Sequence, residues 1–183
     1  MDAFHFSLTQ EEKDYLKNLV RISIAARLAG REAVVPPPPT AKLREPFGAF
    51  VTLTIGGRLR GCIGHIVGDQ PLVATISGMA EAAAFDDPRF PPLSKREFDV
   101  VDIEISILSP LTPCPDPELV EVGRHGLLMR RGGSSGLLLP QVPVEWRWDR
   151  ETFLDQTCHK AGLPPGCWKD PGTDIYWFEA EVF

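Results

Sequence analysis

The sequence has no apolar run of about 18 residues, so we expect no transmembrane helix. The first residues do not form a basic segment followed by an apolar one, and this argues against a secretory signal peptide. Acidic side chains outnumber basic ones, and the net charge is −6 at pH 7. Nucleic acids and anionic membranes favour a basic surface. The sequence therefore predicts a cytoplasmic protein without a membrane anchor, and it does not favour nucleic acid as a partner.

Cysteine is scarce, with four widely spaced residues: Cys62, Cys114, Cys158 and Cys167. A chain of 183 residues can bury a sizeable core without covalent cross-links. Because no export signal is present, we expect reduced thiols rather than disulfides.

The sequence also has few cysteine and histidine residues at the spacing of a metal site. Cys62 and His65 have C-x-x-H spacing, and Cys158 adjoins His159. Neighbouring helical residues diverge by about 100°, so one metal ion cannot easily bind both members of the second pair. Zinc usually needs four protein ligands, or three and a water molecule. We therefore expect no metal site and no cofactor.

Hydrophobic periodicity divides the chain into a helix, a connector and two similar halves. Residues 7–30 have helical spacing, and Thr9 with Glu12 forms a capping-box pattern. Four consecutive prolines force an extended connector over 31–47. The first half, 48–109, is predicted to contain a strand at 49–55, a Gly-Gly turn, a strand at 58–65, a helix at 72–85, a short helical turn after Ser94 and a strand at 101–107. Ser94 and Glu97 form a second capping-box pattern, which opens the short helical turn.

The second half, 125–183, repeats this order. It is predicted to contain strands at 126–131 and 136–142, a helix at 149–161 and a strand at 173–183. The Gly-Gly turns begin at Gly56 and Gly132, an offset of 76 residues, and the helices and final strands have similar offsets. The pattern indicates an internal duplication with six main strands, antiparallel within hairpins, and helices packed on one face.

The segment at 59–64, Leu-Arg-Gly-Cys-Ile-Gly, carries the strongest local signal. Glycine is costly in a strand unless something must approach the backbone closely. Alternation predicts that Arg60 and Cys62 share a face, and a neighbouring guanidinium favours the reactive thiolate form of cysteine. The segment therefore predicts an accessible, activated thiol. The alternative is that Cys62 is a small apolar residue packed beneath a glycine turn.

Other candidate residues have similar pairs of interpretations. Arg60 could bind an anion, or it could form an ion pair with Asp86, Asp87 or Glu104. Glu104, out of phase with its apolar strand neighbours, could be a general base or an exposed acid. His65 is a weaker candidate base. Asp86 and Arg89 could line a cleft, or they could belong to a helix stop in which Arg89 pairs locally with a carboxylate. Asp87 fits that helix stop.

The 59–64 segment resembles the signature of the AMMECR domain family, whose prokaryotic members are called AmmeMemoRadiSam system protein A. Four further blocks are similar to the family in the same order: 84–93, 104–108, 136–142 and 153–164. Several ordered motifs are far more specific than one short motif. His65 lies just outside the signature.

The resemblance implies an α+β fold with a mostly antiparallel, barrel-like sheet flanked by helices, and a larger and a smaller lobe in one domain of 1–183. It also implies a link to a Memo-type protein and a radical S-adenosylmethionine enzyme. It implies no established activity for the family.

Two classes of function remain open at this point. In the first, the protein is an enzyme or enzyme subunit acting on a small anionic metabolite. Cys62 is then the nucleophile, with Glu104 or His65 as base, and the substrate-binding residues are Arg60, Gly61, Gly64, Asp86 and Arg89. In the second, it is a ligand-binding or protein-interaction module in which Cys62 is structural. A nucleic-acid-associated factor is a distant third.

Overall fold

The computed structural model describes residues 7–183. Their helices and strands, in chain order, are α1 (Gln10–Leu28), β1 (Gly48–Ile55), β2 (Arg58–His65), α2 (Leu72–Phe85), α3 (Lys95–Phe98), β3 (Asp102–Leu108), β4 (Thr112–Pro113), β5 (His125–Arg131), β6 (Ser134–Leu138), α4 (Gln141–Glu145), α5 (Arg150–Lys160) and β7 (Asp174–Val182). In this part of the chain, no helix is long and apolar enough to cross a membrane.

The described chain divides into two units. The first unit comprises Ser7–Leu108 with Glu181–Phe183, and the second comprises Ser109–Ala180. β7 therefore contributes its last residues to the first unit, where Ile105 and Phe183 exchange backbone hydrogen bonds of 2.9 and 3.1 Å.

The first unit is an antiparallel sheet with helices on one face. β1 is central and pairs with β2 on one side and β3 on the other. Its alternate residues Ala49, Val51 and Leu53 are fully buried, and so are Leu16 and Ile76 of the helices. α1 begins at the predicted capping box, in which Thr9 and Glu12 bond each other's backbone N–H.

The second unit repeats this topology. β5 is central and pairs antiparallel with β6 and β7, and β7 also pairs with the two-residue strand β4. Its core consists of apolar residues from β5, α5 and the segment that follows α5, including Leu127, Met129, Phe153 and Leu154. The predicted α+β class, the antiparallel pairing and the repeated hairpin–helix–strand order are confirmed.

One glycine in each unit allows a helix to pack directly on the hairpin. A Cβ added to Gly61 in β2 would lie 2.0 Å from the carbonyl oxygen of Ala83, near the end of α2. A Cβ added to Gly136 in β6 would lie 2.3 Å from the backbone nitrogen of Ala161, just after α5. Neither position has room for a side chain. In both units, therefore, the strand backbone packs directly against the backbone at the end of a helix.

The strand prediction at 136–142 was wrong in its second half. β6 starts earlier, at Ser134, and ends at Leu138. Pro140 has helical backbone angles, φ −58° and ψ −31°, and the chain continues as α4. Proline fixes φ near −65°, which suits the start of a helix.

The prediction of four reduced thiols was also wrong. Cys158 and Cys167 form a disulfide with a Cα–Cα separation of 6.0 Å, whereas Cys62 and Cys114 are free. After α5 the chain reverses, and the side chain of Asp155 holds the returning segment by accepting the Gly166 N–H at 2.8 Å. This local reversal brings the two sulfur atoms together in the core of the second unit.

Candidate functional site

Cys62 lies on the edge strand of the first unit, in a row of three residues that crosses the sheet. Thr52 of β1 is directly opposite both Cys62 of β2 and Glu104 of β3. Directly opposed residues point to the same face of an antiparallel sheet. Cys62 and Thr52 are half-buried, and Glu104 is exposed. We call this face, with Phe50, Thr52, Cys62 and Glu104, the Cys62 face.

The thiol of Cys62 has a hydroxyl partner within the row. The Thr52 hydroxyl donates a hydrogen bond to Sγ of Cys62 at 3.2 Å. Such a bond orients the sulfur and supplies partial positive charge to it. Glu104 lies two strands from Cys62, at a backbone spacing of roughly 10 Å set by the sheet.

Arg60 does not share an alternation pattern with Cys62, because a β-bulge separates them. Leu53 is opposite Gly61, but the next residue, Thr54, is opposite Leu59, which leaves Arg60 as the extra residue. Only 8% of Arg60 is exposed. The alternation argument in the sequence analysis was therefore wrong at this position.

The guanidinium of Arg60 is held by internal partners. Its Nε donates to Oε1 of Glu97 at 2.7 Å, and its Nη2 donates to the Pro91 carbonyl at 2.9 Å. The Arg60 guanidinium lowers the pKa of Glu97 to about 2. Glu97 also closes the capping box of α3 with Ser94. Arg60 is thus part of an ion pair whose acid was not among the expected partners.

Asp87 and Arg89 bond the backbone of Cys62 at the open edge of the sheet. Oδ2 of Asp87 accepts the Cys62 N–H at 2.9 Å, and Nη2 of Arg89 donates to the Cys62 carbonyl at 3.3 Å. The two side chains are ion-paired at 2.8 Å. Together they occupy the place of a neighbouring strand, which blocks further strand pairing at this point.

Asp87 is 3% exposed, yet it stays ionised. The Arg89 guanidinium holds the pKa of the Asp87 carboxyl well below its usual range, although burial acts in the opposite direction. Asp86, its sequence neighbour, faces elsewhere and forms two hydrogen bonds of 2.8 Å with Arg27 of α1. The structure therefore brings together Cys62, Asp87 and Arg89, and it does not place Asp86 with them.

Packing accounts for both glycines of the segment. Gly61 lies against the backbone of α2, as described above. Gly64 lies beneath the ring of Phe50, its cross-strand neighbour, where an added Cβ would be 2.3 Å from two ring carbons. A ring over a strand glycine shields the backbone that the missing side chain would expose.

Among residues 7–183, His65 is the histidine that belongs to the same unit as Cys62, and it is not placed to act on the thiol. His65 is exposed and follows Cys62 by three residues, so its side chain lies on the other face of the sheet. It is directly opposite Ala49 of β1. His125 and His159 belong to the second unit. His125 is buried, its Nδ1 accepts the Glu121 N–H at 3.0 Å, and burial lowers its pKa. Within residues 7–183, no three His, Cys, Asp or Glu side chains are arranged to hold a metal ion.

Sequence reasoning missed the importance of Thr52 and Glu97. The pairing register of β1 and β2 would have identified Thr52 as a neighbour of the thiol, because Thr52 is directly opposite Cys62. The Ser94–Glu97 capping box was visible, but nothing local indicated that Glu97 also binds Arg60. As a chemical site, the Cys62 face offers a thiol, a hydroxyl and a carboxylate beside an aromatic ring.

Known proteins are similar to this chain over most of its length. Protein TK0174 of Thermococcus kodakarensis is 45% identical, with 97% of this chain and 92% of the relative covered. A protein of Methanothermobacter thermautotrophicus is 43% identical, with 96% and 95% covered. The crystal structure of PH0010 from Pyrococcus horikoshii is 43% identical, has a TM-score of 0.87 and covers 97% of this chain and 93% of that chain. The AMMECR1 family model matches residues 17–183. Because this match extends from within α1 to the last residue, the chain belongs to the AMMECR1 family.

Proposed function

We propose that the protein is a non-catalytic ligand-binding module whose binding surface is the Cys62 face. In this proposal Cys62 has a structural role on that face and is not a nucleophile. The Asp87–Arg89 pair serves to hold the edge strand, so that the thiol and its neighbours keep their positions before a ligand arrives. Such preorganisation increases affinity because less freedom is lost on binding.

The observation that supports a binding role is the pairing of both arginines near the motif. A reactive thiolate needs a neighbouring cation or a base. Arg60 is neutralised by Glu97, and Arg89 is neutralised by Asp87. In the first unit, no imidazole shares the face of Cys62 within the described strands. The elements that would activate the thiol are thus committed to other contacts.

The groups on the Cys62 face suggest the kind of ligand it binds. Glu104 presents an exposed carboxylate, which accepts hydrogen bonds, and Thr52 has a hydroxyl that donates and accepts. Phe50 supplies apolar area beside them. A small polar molecule with an amine or hydroxyl group matches this set of groups better than a strongly anionic molecule does.

A thermal-shift screen with a panel of small amines, alcohols and carboxylates tests the proposal. A ligand that binds the native state raises the unfolding temperature. We expect amines or alcohols to raise it, and we expect Glu104→Gln to abolish the shift. Asp99→Asn, which removes an exposed acid of the same unit, is the matched control and should retain the shift. A shift that both variants retain would contradict binding at this face.

A second candidate is the enzyme proposed from the sequence, with Cys62 as nucleophile and a small anionic metabolite as substrate. Two contacts favour it: the Thr52 hydroxyl on Sγ, and the guanidinium of Arg89, which is exposed beside the Cys62 carbonyl. Metabolite profiles of cells with Cys62→Ala and of a deletion strain distinguish the candidates. An enzyme predicts that the two profiles coincide, whereas a binding module predicts that Cys62→Ala resembles wild type.

Family resemblance supports a cytoplasmic role alongside a Memo-type protein and a radical S-adenosylmethionine enzyme. Physical association is tested by size-exclusion chromatography of the purified proteins, alone and mixed. Co-elution at a larger size supports a complex. Separate elution would contradict a stable complex. A functional link without a complex predicts that the single deletion strains share one metabolite profile.

A further inference from the structure

The second unit has an exposed apolar surface that neither candidate function uses. We call it the Trp146 surface. Trp146 is 68% exposed, and Val144 beside it is 54% exposed. Two further exposed apolar residues come from the segment before β5, and one half-buried tryptophan borders the group, so that the surface comprises Leu119, Val122, Val144, Trp146 and Trp148.

These residues are held together by contacts within the second unit. Arg150 of α5 donates to the Glu118 carbonyl at 3.0 Å and forms an ion pair with the Glu118 carboxylate. A Cβ at Gly123 would lie 3.1 Å from Cγ2 of Val144. Both contacts fix the segment at 116–124 against the segment at 144–151. The two segments therefore lie side by side, although they are distant in sequence.

The two tryptophans have a defined arrangement. Their rings stack with centroids 6.2 Å apart and planes 18° apart. Arg147 between them has φ 54°, in the left-handed region that non-glycine residues rarely adopt. This backbone conformation places Trp146 next to Trp148, which itself packs partly against the core of the unit. An exposed tryptophan anchored in this way is typical of interaction surfaces, where aromatic residues supply much of the binding energy.

The two segments that carry the surface are rich in acidic residues. The segments at 116–124 and 144–151 contain six carboxylates and three arginines, a net charge of −3: Asp116, Glu118, Glu121, Glu145, Asp149 and Glu151 against Arg124, Arg147 and Arg150. Glu145 is exposed and directly precedes Trp146. An apolar centre with an acidic border complements a partner of the opposite charge.

We propose that the Trp146 surface is a docking site for a basic amphipathic segment of a partner protein, one that carries lysine or arginine beside apolar side chains. Its apolar residues pack on Val144 and Trp146, and its cations lie over the tryptophan rings and near the carboxylates. A second copy of this chain would bring like charges together. Nucleic acid and an anionic membrane carry the same sign as the surface, so neither fits.

Two synthetic amphipathic peptides test the proposal, one made of leucine and lysine and the other of leucine and glutamate. We expect the lysine peptide to bind the full-length protein and to shift the emission of Trp146 to shorter wavelength. We expect its affinity to fall with added salt. Trp146→Ser should weaken binding by about tenfold, and Glu145→Lys should weaken it by several-fold. Both positions are exposed, so the variants should fold.

Matched variants in the first unit control for non-specific attraction. Val100→Ser removes another exposed apolar side chain, and Glu32→Lys reverses another exposed acid. We expect both to bind the lysine peptide within about twofold of wild type. Equal losses in the controls, equal binding of the glutamate peptide or no binding of the lysine peptide would overturn the proposal. A dimer that Trp146→Ser dissociates would also overturn it, because a second copy would then occupy the surface.

Discussion

Asp87 and Cys62 are joined by a hydrogen bond of 2.9 Å from the backbone N–H of Cys62 to the Asp87 carboxylate. The bond ties the helix stop after α2 to the edge strand that carries the thiol. A buried carboxylate is stable only when it is paired and hydrogen-bonded, and Asp87 meets this condition through Arg89 and two backbone N–H groups. The aspartate that resembled a simple helix stop in the sequence thus anchors the candidate site.

Asp87→Asn should destabilise the protein more than the same change at its neighbour. The variant loses a charge-assisted acceptor in a buried position, and we expect a loss of about 1.5–3 kcal/mol in the free energy of unfolding. Asp86→Asn removes an exposed ion pair with Arg27, and we expect a loss below about 1 kcal/mol. Urea denaturation measures both. Equal losses would show that the Asp87–Cys62 bond does not stabilise the edge strand.

Gly61→Ala and Gly136→Ala should each be severe, because each added methyl group would enter the backbone of a packed helix. We expect a loss of roughly 3 kcal/mol from each. Gly133→Ala is the matched control, since the turn has open space there and its φ is not left-handed. We expect that change to alter stability by less than about 1 kcal/mol. If one site tolerates alanine and the other does not, the two hairpins are not packed equivalently.

Lowering the pH should weaken the contribution of Glu97 to the stability of the folded protein. Its pKa is lowered to about 2 in the folded protein by Arg60, so the unfolded chain binds its proton more readily. The stabilisation is therefore complete above pH 4.5 and is lost as the pH falls toward 2. We expect the stability difference between wild type and Glu97→Gln to narrow over this range. A difference that does not change with pH would contradict an ionised Arg60–Glu97 pair.

Removing the disulfide should destabilise the second unit. The bond closes a short loop with a sequence separation of 9 residues, for which loop entropy predicts about 2–3 kcal/mol. The double variant Cys158→Ala/Cys167→Ala should unfold at lower urea concentration than wild type. Cys114→Ala, which removes a free cysteine of the same unit, should have a much smaller effect. Equal effects would mean that the pair is not bonded in solution.

Local signals predicted most of the first unit. The Gly-Gly turn fixed the β1–β2 hairpin, and the observed bounds of β2 and α2 agree with the prediction. Features that depend on a partner strand or a distant residue were not predictable. The bulge at Arg60 changes which face its side chain occupies, and alternation alone cannot reveal it. The Cys158–Cys167 bond depends on how the chain reverses after α5, which no spacing rule specifies.

The site was predicted in outline only. The sequence identified Cys62, Arg60 and Arg89 as chemically interesting, but it could not show that both arginines are paired with carboxylates. Glu97 was assigned only a capping role, and Asp87 only a turn role. Glu97 pairs with Arg60 across 37 residues, and Asp87 accepts the Cys62 N–H across 25 residues. Contacts of this kind arise only from tertiary packing, and the Arg60–Glu97 pair decides whether that cation is available to a thiol.

The most direct measurement is the rate at which iodoacetamide alkylates Cys62 near neutral pH. In Cys114→Ser, Cys62 is the free thiol, because Cys158 and Cys167 are bonded to each other. A non-catalytic role for Cys62 predicts a rate equal to that of glutathione or slower, and little change in Arg89→Gln. A rate at least about tenfold faster than that of glutathione, lost in Thr52→Val, would contradict the binding-module proposal and support a nucleophilic cysteine.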